Sequence, residues 1–158
     1  MKRVRFVMIG GFLGAGKTTV IGRLARAYVE RGARVGIVTN DQAANLVDTH
    51  NFRAQGYSVE EVPGSCFCCA FNQLAEAVGR LTATERPDIL LGEPVGSCTD
   101  LVATVVQPLK RLYADRYVTT PLVVVVDPHR AHKILTRSPR GGFHTEDARG
   151  STSGIWPS

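Results

Sequence analysis

The sequence has no apolar run long enough to cross a bilayer. Its longest, PLVVVV at 121–126, is far short of the about 20 residues a membrane helix requires. It also has no block of lysine or arginine. The net charge of +5 comes from dispersed residues, mostly arginines. That describes a solvated surface and not a nucleic-acid arm. No small-residue cleavage site follows the charged start MKRVRFVMIGG, whose short apolar stretch runs into glycines. It reads as a first strand and not as a secretory leader. There is no internal repeat. A cytoplasmic protein is therefore expected, with neither nucleic acid nor membrane among its partners. The positive balance still favours anionic ligands such as nucleotides.

At 158 residues the chain has room for one domain and little more. Apolar strands alternate with helical patterns. Residues 3–9, 33–39, 57–62, 87–92 and 121–127 read as strands, the last the most apolar. The helical stretches follow Lys17 and cover 70–83 and 99–112. The expected fold is α/β, with a mostly parallel sheet and helices on both faces. Residues 1–136 would form one domain, incomplete as it stands. Residues 137–158, rich in Gly, Ser, Pro and Arg, read as a disordered or loosely attached tail.

In such sheets ligands sit beyond the carboxyl ends of the strands, and the informative residues cluster there. GFLGAGKT, residues 11–18, matches GxxxxGK[ST] between a strand and an amphipathic helix, so residues 1–136 are expected to be an incomplete nucleotide-binding domain of the P-loop NTPase fold. Gly11, Gly14, Ala15 and Gly16 let the backbone wrap a phosphate, and the helix N-terminus adds partial positive charge. Lys17 would reach the β- and γ-phosphates, Thr18 would offer its hydroxyl to Mg²⁺, and Thr19 would face the α-phosphate. A P-loop enzyme also needs carboxylates near the metal and the attacking water. Asp41 after the second strand and Glu93 after the apolar strand at 87–92 qualify by position. Asp127 also ends a strand, but Asp-Pro equally starts a turn or helix.

Cysteine is scarce: four in the chain, yet three of them are Cys66, Cys68 and Cys69. Adjacent cysteines make a strained disulfide, whereas grouped thiolates select soft metals such as Zn²⁺, with Co²⁺ a competitor. A redox pair of Cys66 and Cys69 is the alternative. Cys98 reads as packing, and the four histidines as solvated.

GFLGAGKTT, TND, CFCC and GEPVG together resemble the CobW-type metal-trafficking P-loop GTPases over roughly residues 3–127. The resemblance implies GTP as nucleotide, Mg²⁺ as cofactor, and GTP hydrolysis involving Lys17, Asp41 and Glu93. It implies a transition-metal cargo on Cys66, Cys68 and Cys69, with Thr18, Asp41 and Glu93 also associated with metal. The implied partner is a client metalloprotein, and a homodimer is left open. Two features depart from the family. Asn40-Asp41-Gln42-Ala43 stands where Asn-Glu-Phe-Gly is usual. No Asn-Lys pair occurs, so the guanine-reading NKxD motif is missing and the chain reads as a truncated member. An ATP-using P-loop kinase or ATPase and a non-catalytic nucleotide-binding remnant are the competing readings.

Overall fold

The computed structural model describes residues 3–41, 46–98, 100–137, 144–146 and 152–154. Two compact units emerge, Met1–Val125 and Val126–Ser158.

In the first unit the strands are β1 (Val4–Gly10), β2 (Val35–Asp41), β3 (Ser58–Pro63), β4 (Ile89–Glu93), β5 (Tyr117–Thr119) and β6 (Val123–Val124). The helices are α1 (Lys17–Val29), α2 (Leu46–Ala54), α3 (Phe71–Glu85) and α4 (Gln107–Leu112), the last entered through a π-helical turn at Val102–Val106. The sheet order is β3-β2-β4-β1-β5, with β6 also on β1. Every pairing within it is parallel. Consequently the loops after β1, β2, β3 and β4 all leave from the same rim.

The strand alternation explains why β1 and β4 read as apolar throughout. Phe6 and Met8 face one core with Leu74, Val78, Leu101 and Val105. Val7 and Ile9 face a second core with Ile21, Ala25 and Phe52. Both faces are covered by helices, so side chains of either parity must be apolar. The layers are tight where β2 meets α3: a Cβ on Gly36 would stand 2.8 Å from Leu81 Cδ2.

The strand expected at 121–127 is reduced to Val123–Val124, which pair with Ile9–Gly10. The first half of that lane is taken by β5, which the sequence reading missed and which pairs Val4–Phe6 with Tyr117–Thr119. Pro121 lies between the two and has no N–H to donate, so the ladder breaks there. The lane is the sheet edge among the described residues, and Val118, Val123 and Val124 stay exposed despite their apolarity. Helix α2 was also missed, because its charged and apolar residues follow no clear helical stripe.

In the second unit, Asp127 Oδ1 accepts from the backbone N–H of His129 at 2.8 Å and of Arg130 at 3.3 Å. It caps helix α5 (Pro128–Arg137), the helix-starting role that Asp-Pro suggests. Strands β7 (His144–Glu146) and β8 (Thr152–Gly154) pair antiparallel within the expected tail. The remainder of 138–158, Trp156 included, lies outside the described residues. No helix among the described residues is long and apolar enough to cross a membrane.

Phe67, the residue between two cysteines, is fully buried in the core below α3. Phe67→Ala should therefore lower unfolding stability by about 3–5 kcal/mol, the range for a large aromatic lost from a core. Urea titration of both proteins measures this, and a near-neutral result would mean that Phe67 does not anchor its turn.

Candidate functional site

The phosphate loop joins β1 to α1. Gly14 and Gly16 take left-handed backbone angles, φ 79° and 92°, which side chains resist and glycine accepts. Gly16 directly precedes the helix and supplies the carbonyl that accepts from Val20 N–H at 3.0 Å. Gly11 is held even more closely: a Cβ there would meet Val125 O at 2.3 Å. Lys17 is buried, and its Nζ lies across the loop, 3.4 Å from Phe12 O. Thr19 is exposed at the loop's mouth. An adjoining cavity of about 470 Å³ runs from Thr18 and Thr19 past Arg23 and Arg26. Part of the dispersed positive charge therefore gathers beside the loop.

Glu93 closes β4 and is buried. The Thr18 hydroxyl donates to Glu93 Oε1 at 3.0 Å, across 75 positions of sequence. The register of β1 against β4 carries the acid to this point. The loop after β4 also packs on the phosphate loop, since a Cβ on Gly96 would lie 2.7 Å from Leu13 N and 3.1 Å from Gly11 O. Asp41 is the last residue of β2, its backbone opposite Pro63. Its side chain lies outside the described residues, as do Gln42 and Ala43.

The cysteines occupy one turn between β3 and α3. Gly64, at φ 76°, reverses the chain. Cys66 O then accepts from Cys69 N–H and Ala70 N–H, each at 3.0 Å, and α3 begins. This winding brings the sulfurs of Cys66, Cys68 and Cys69 within 4.8 Å of one another. All are free thiols, Cys69 the most exposed. The thiol of Cys68 donates to Cys66 and holds its pKa down to about 7, against the opposing effect of burial. The same bond pushes Cys68 up to about 11, and contact with Cys66 likewise raises Cys69 to about 11. The cluster thus loses its first proton at Cys66. His50, His129 and His132 are exposed, and none belongs to a metal-ligand cluster among the described residues.

Asn40 was not singled out as functional in the sequence, yet it holds this turn in place. It is completely buried at the end of β2. Its Nδ2 donates to Val62 O at 3.3 Å and also to Ser65 O, and its Oδ1 accepts from Phe67 N–H at 3.2 Å. One amide side chain thereby ties β2, the end of β3 and the cysteine turn together. The sequence places it in the TND stretch after the second strand, but nothing local shows its burial or its partners.

Two outcomes follow. Asn40→Asp keeps the shape but turns an oxygen toward the Val62 and Ser65 carbonyls. It should cost more than about 2 kcal/mol in denaturant unfolding and speed alkylation of the cysteines; unchanged stability would remove the latch. In the metal-free protein, alkylation should begin at Cys66 and rise as pH increases through about 7, where its thiolate forms. Peptide mapping that finds the more exposed Cys69 reacting first at neutral pH would contradict that order.

The profile of the CobW/HypB/UreG nucleotide-binding domain matches residues 5–151. The zinc chaperone YjiA of Escherichia coli (strain K12) is 23% identical over 143 residues, covering 87% of this chain and 44% of that protein. The chain thus spans less than half the length of this curated relative. Among solved structures, the hydrogenase maturation factor HypB from Archaeoglobus fulgidus superposes with a TM-score of 0.57 at 19% identity, over 89% of this chain and 63% of that one. The signal recognition particle receptor FtsY from Elizabethkingia anophelis gives 0.53 at 20% identity, over 76% and 42%. These likenesses share the P-loop NTPase fold. A profile match running nearly end to end, on a chain that sets Lys17, Thr18 and Glu93 around one loop, makes this protein a member of the CobW/HypB/UreG nucleotide-binding domain family.

Proposed function

We propose that the protein binds and hydrolyses GTP and carries Zn²⁺, with Co²⁺ as a competing cargo, on Cys66, Cys68 and Cys69 for delivery to a client metalloprotein. One observation carries this reading. The phosphate loop, Glu93 at the end of β4 and the thiol trio all stand at the same rim of a parallel sheet. Similarity to a zinc chaperone supports the choice of cargo.

The donor set fits magnesium. The Thr18 hydroxyl and the Glu93 carboxylate stand 3.0 Å apart beside the phosphate loop, both hard oxygen donors. When bound, Mg²⁺ neutralises charge developing on the β- and γ-phosphate oxygens. Lys17, already drawn toward the Phe12 carbonyl, would turn its ammonium to the same phosphates. The loop N–H groups and the N-terminus of α1 hold the anion. Glu93, buried at the strand end, would orient the attacking water and accept its proton. Asp41 is assigned by position as the second acid of the site.

The thiols suit a cargo that has to leave. Three of them sit on a single turn at the protein surface, where a client's ligands can reach the ion and replace them.

The test combines nucleotide binding, turnover and Zn²⁺ titration of the full chain. Lys17→Ala should abolish nucleotide binding. Glu93→Gln should retain nucleotide but slow hydrolysis by about 10²–10⁴-fold, the usual contribution of a positioned base. Cys66→Ser should weaken Zn²⁺ while leaving nucleotide affinity intact. A wild-type chain that hydrolyses GTP but binds no Zn²⁺ would reduce the protein to a nucleotidase, and preferential use of ATP would move it to a different P-loop class.

A further inference from the structure

Cys98 lies in the loop between β4 and the π-helical turn, five positions beyond Glu93. Its place in sequence suggests packing. In the fold it does pack on the core beneath α3, as Cys68 does, and its Sγ also stands 3.7 Å from Cys68 Sγ, in a half-buried contact between segments thirty positions apart. Every cysteine of the chain is thereby gathered in one patch. A cysteine used only as a small hydrophobe has no reason to seek another thiol. Here two separate loops each deliver one to the same point.

Two of the six sulfur–sulfur separations match a metal site, while Cys98 stands outside the trio's mutual 4.8 Å spacing and would be drawn in by the ion. Zinc binds thiolate sulfur at about 2.3 Å, so a regular tetrahedron of four sulfurs has edges of about 3.8 Å. The Cys68–Cys98 separation of 3.7 Å and the Cys68–Cys69 separation of 4.0 Å bracket that edge. Three sulfurs from a single turn can cap only one side of an ion. The vacant side must be filled from elsewhere, and the β4 loop is where a further sulfur waits. We propose that Cys98 is the fourth sulfur ligand of the cargo metal, closing a four-thiolate site that bridges the cysteine turn and the loop carrying Glu93. The inference rests on the carrier reading above and gives it a physical link.

That link is short. Cys98 N–H donates to Val95 O at 3.1 Å, which winds Val95–Cys98 into one turn. Gly96, inside the turn, is packed against Gly11 and Leu13 of the phosphate loop. Glu93, at the head of the same segment, accepts from Thr18. An ion held by Cys98 therefore pulls on backbone that touches the nucleotide loop directly. A shift of the Glu93–Cys98 segment when the phosphates change would withdraw one ligand of four and leave the trio on the other turn. Three thiolates hold soft divalent ions less firmly than four, so Cys98 is the ligand through which release can be timed.

The experiment uses the full chain loaded with Zn²⁺ alone. Zinc-edge X-ray absorption of the wild type should count four sulfurs, and the Co²⁺-substituted protein should show the charge-transfer intensity and tetrahedral ligand-field bands of a four-thiolate site. Cys98→Ser, checked for folding by circular dichroism, should keep the metal but lose one sulfur and at least about tenfold in affinity against a competing chelator, as outer-shell losses alone cost 10–100-fold. Should the variant not fold, the wild-type sulfur count decides by itself. A wild type with three sulfurs, or a Cys98→Ser protein matching wild type in affinity and spectrum, overturns the role of Cys98 while the carrier reading stands. A wild type that takes up neither metal overturns both.

Discussion

The buried amide of Asn40 joins what would otherwise be separate parts. Three backbone partners, at the end of β3 and within the cysteine turn, share one side chain at the end of β2. An amide is suited to this because it donates and accepts from a single planar group. Deep in the protein each bond matters, since an unmet partner carries its full desolvation cost. The amide fixes where the turn starts, and the Phe67 side chain, sunk into the core, fixes how the turn sits. The three sulfurs then project from a turn anchored at two points.

The parallel sheet supplies the other half of the design. Its strands run one way, so every strand end meets at the same rim, and unrelated loops become neighbours. Thr39 on β2 is paired with Glu93 on β4, and Asn40 is the next residue along. Glu93 in turn receives the Thr18 hydroxyl. Only one strand register thus separates the carboxylate of the phosphate site from the latch of the sulfur site. No long chain of intermediaries is required for either to sense the other. The parts that would move are loops, and the parts that hold them are strand ends, a division suited to switching.

Much of this was legible in the sequence. The phosphate loop has fixed spacing between a strand and a helix, and both are where GFLGAGKT places them. The acid at 93 follows a strand buried on both faces, which apolar continuity alone announces. The crowding of three cysteines pointed to one turn. What was hidden depended on tertiary pairing. Strand β5 is three residues long and carries no periodicity. The run at 121–127 looks like a central strand, but Pro121 and the prior claim of β5 on the same lane leave only Val123 and Val124 paired. Phe67 reads as a turn residue until its burial is seen. Asn40 reads as a loop polar group, because the partners of an amide cannot be inferred from local sequence. Cys98 reads as packing and does pack on the core beneath α3, but the thiol beside it is thirty positions away and could not be seen in local sequence.

The central claim is that occupancy of the nucleotide loop and occupancy of the sulfur site are energetically linked. Measuring Zn²⁺ affinity of the full chain with and without a non-hydrolysable GTP analogue and Mg²⁺ tests it most directly. The account predicts a change of between about 5- and 150-fold, the range typical of coupled sites. Reciprocally, the analogue should bind with the same ratio when Zn²⁺ is present. Identical Zn²⁺ affinities in the two states, with the analogue shown to be bound, would contradict the claim.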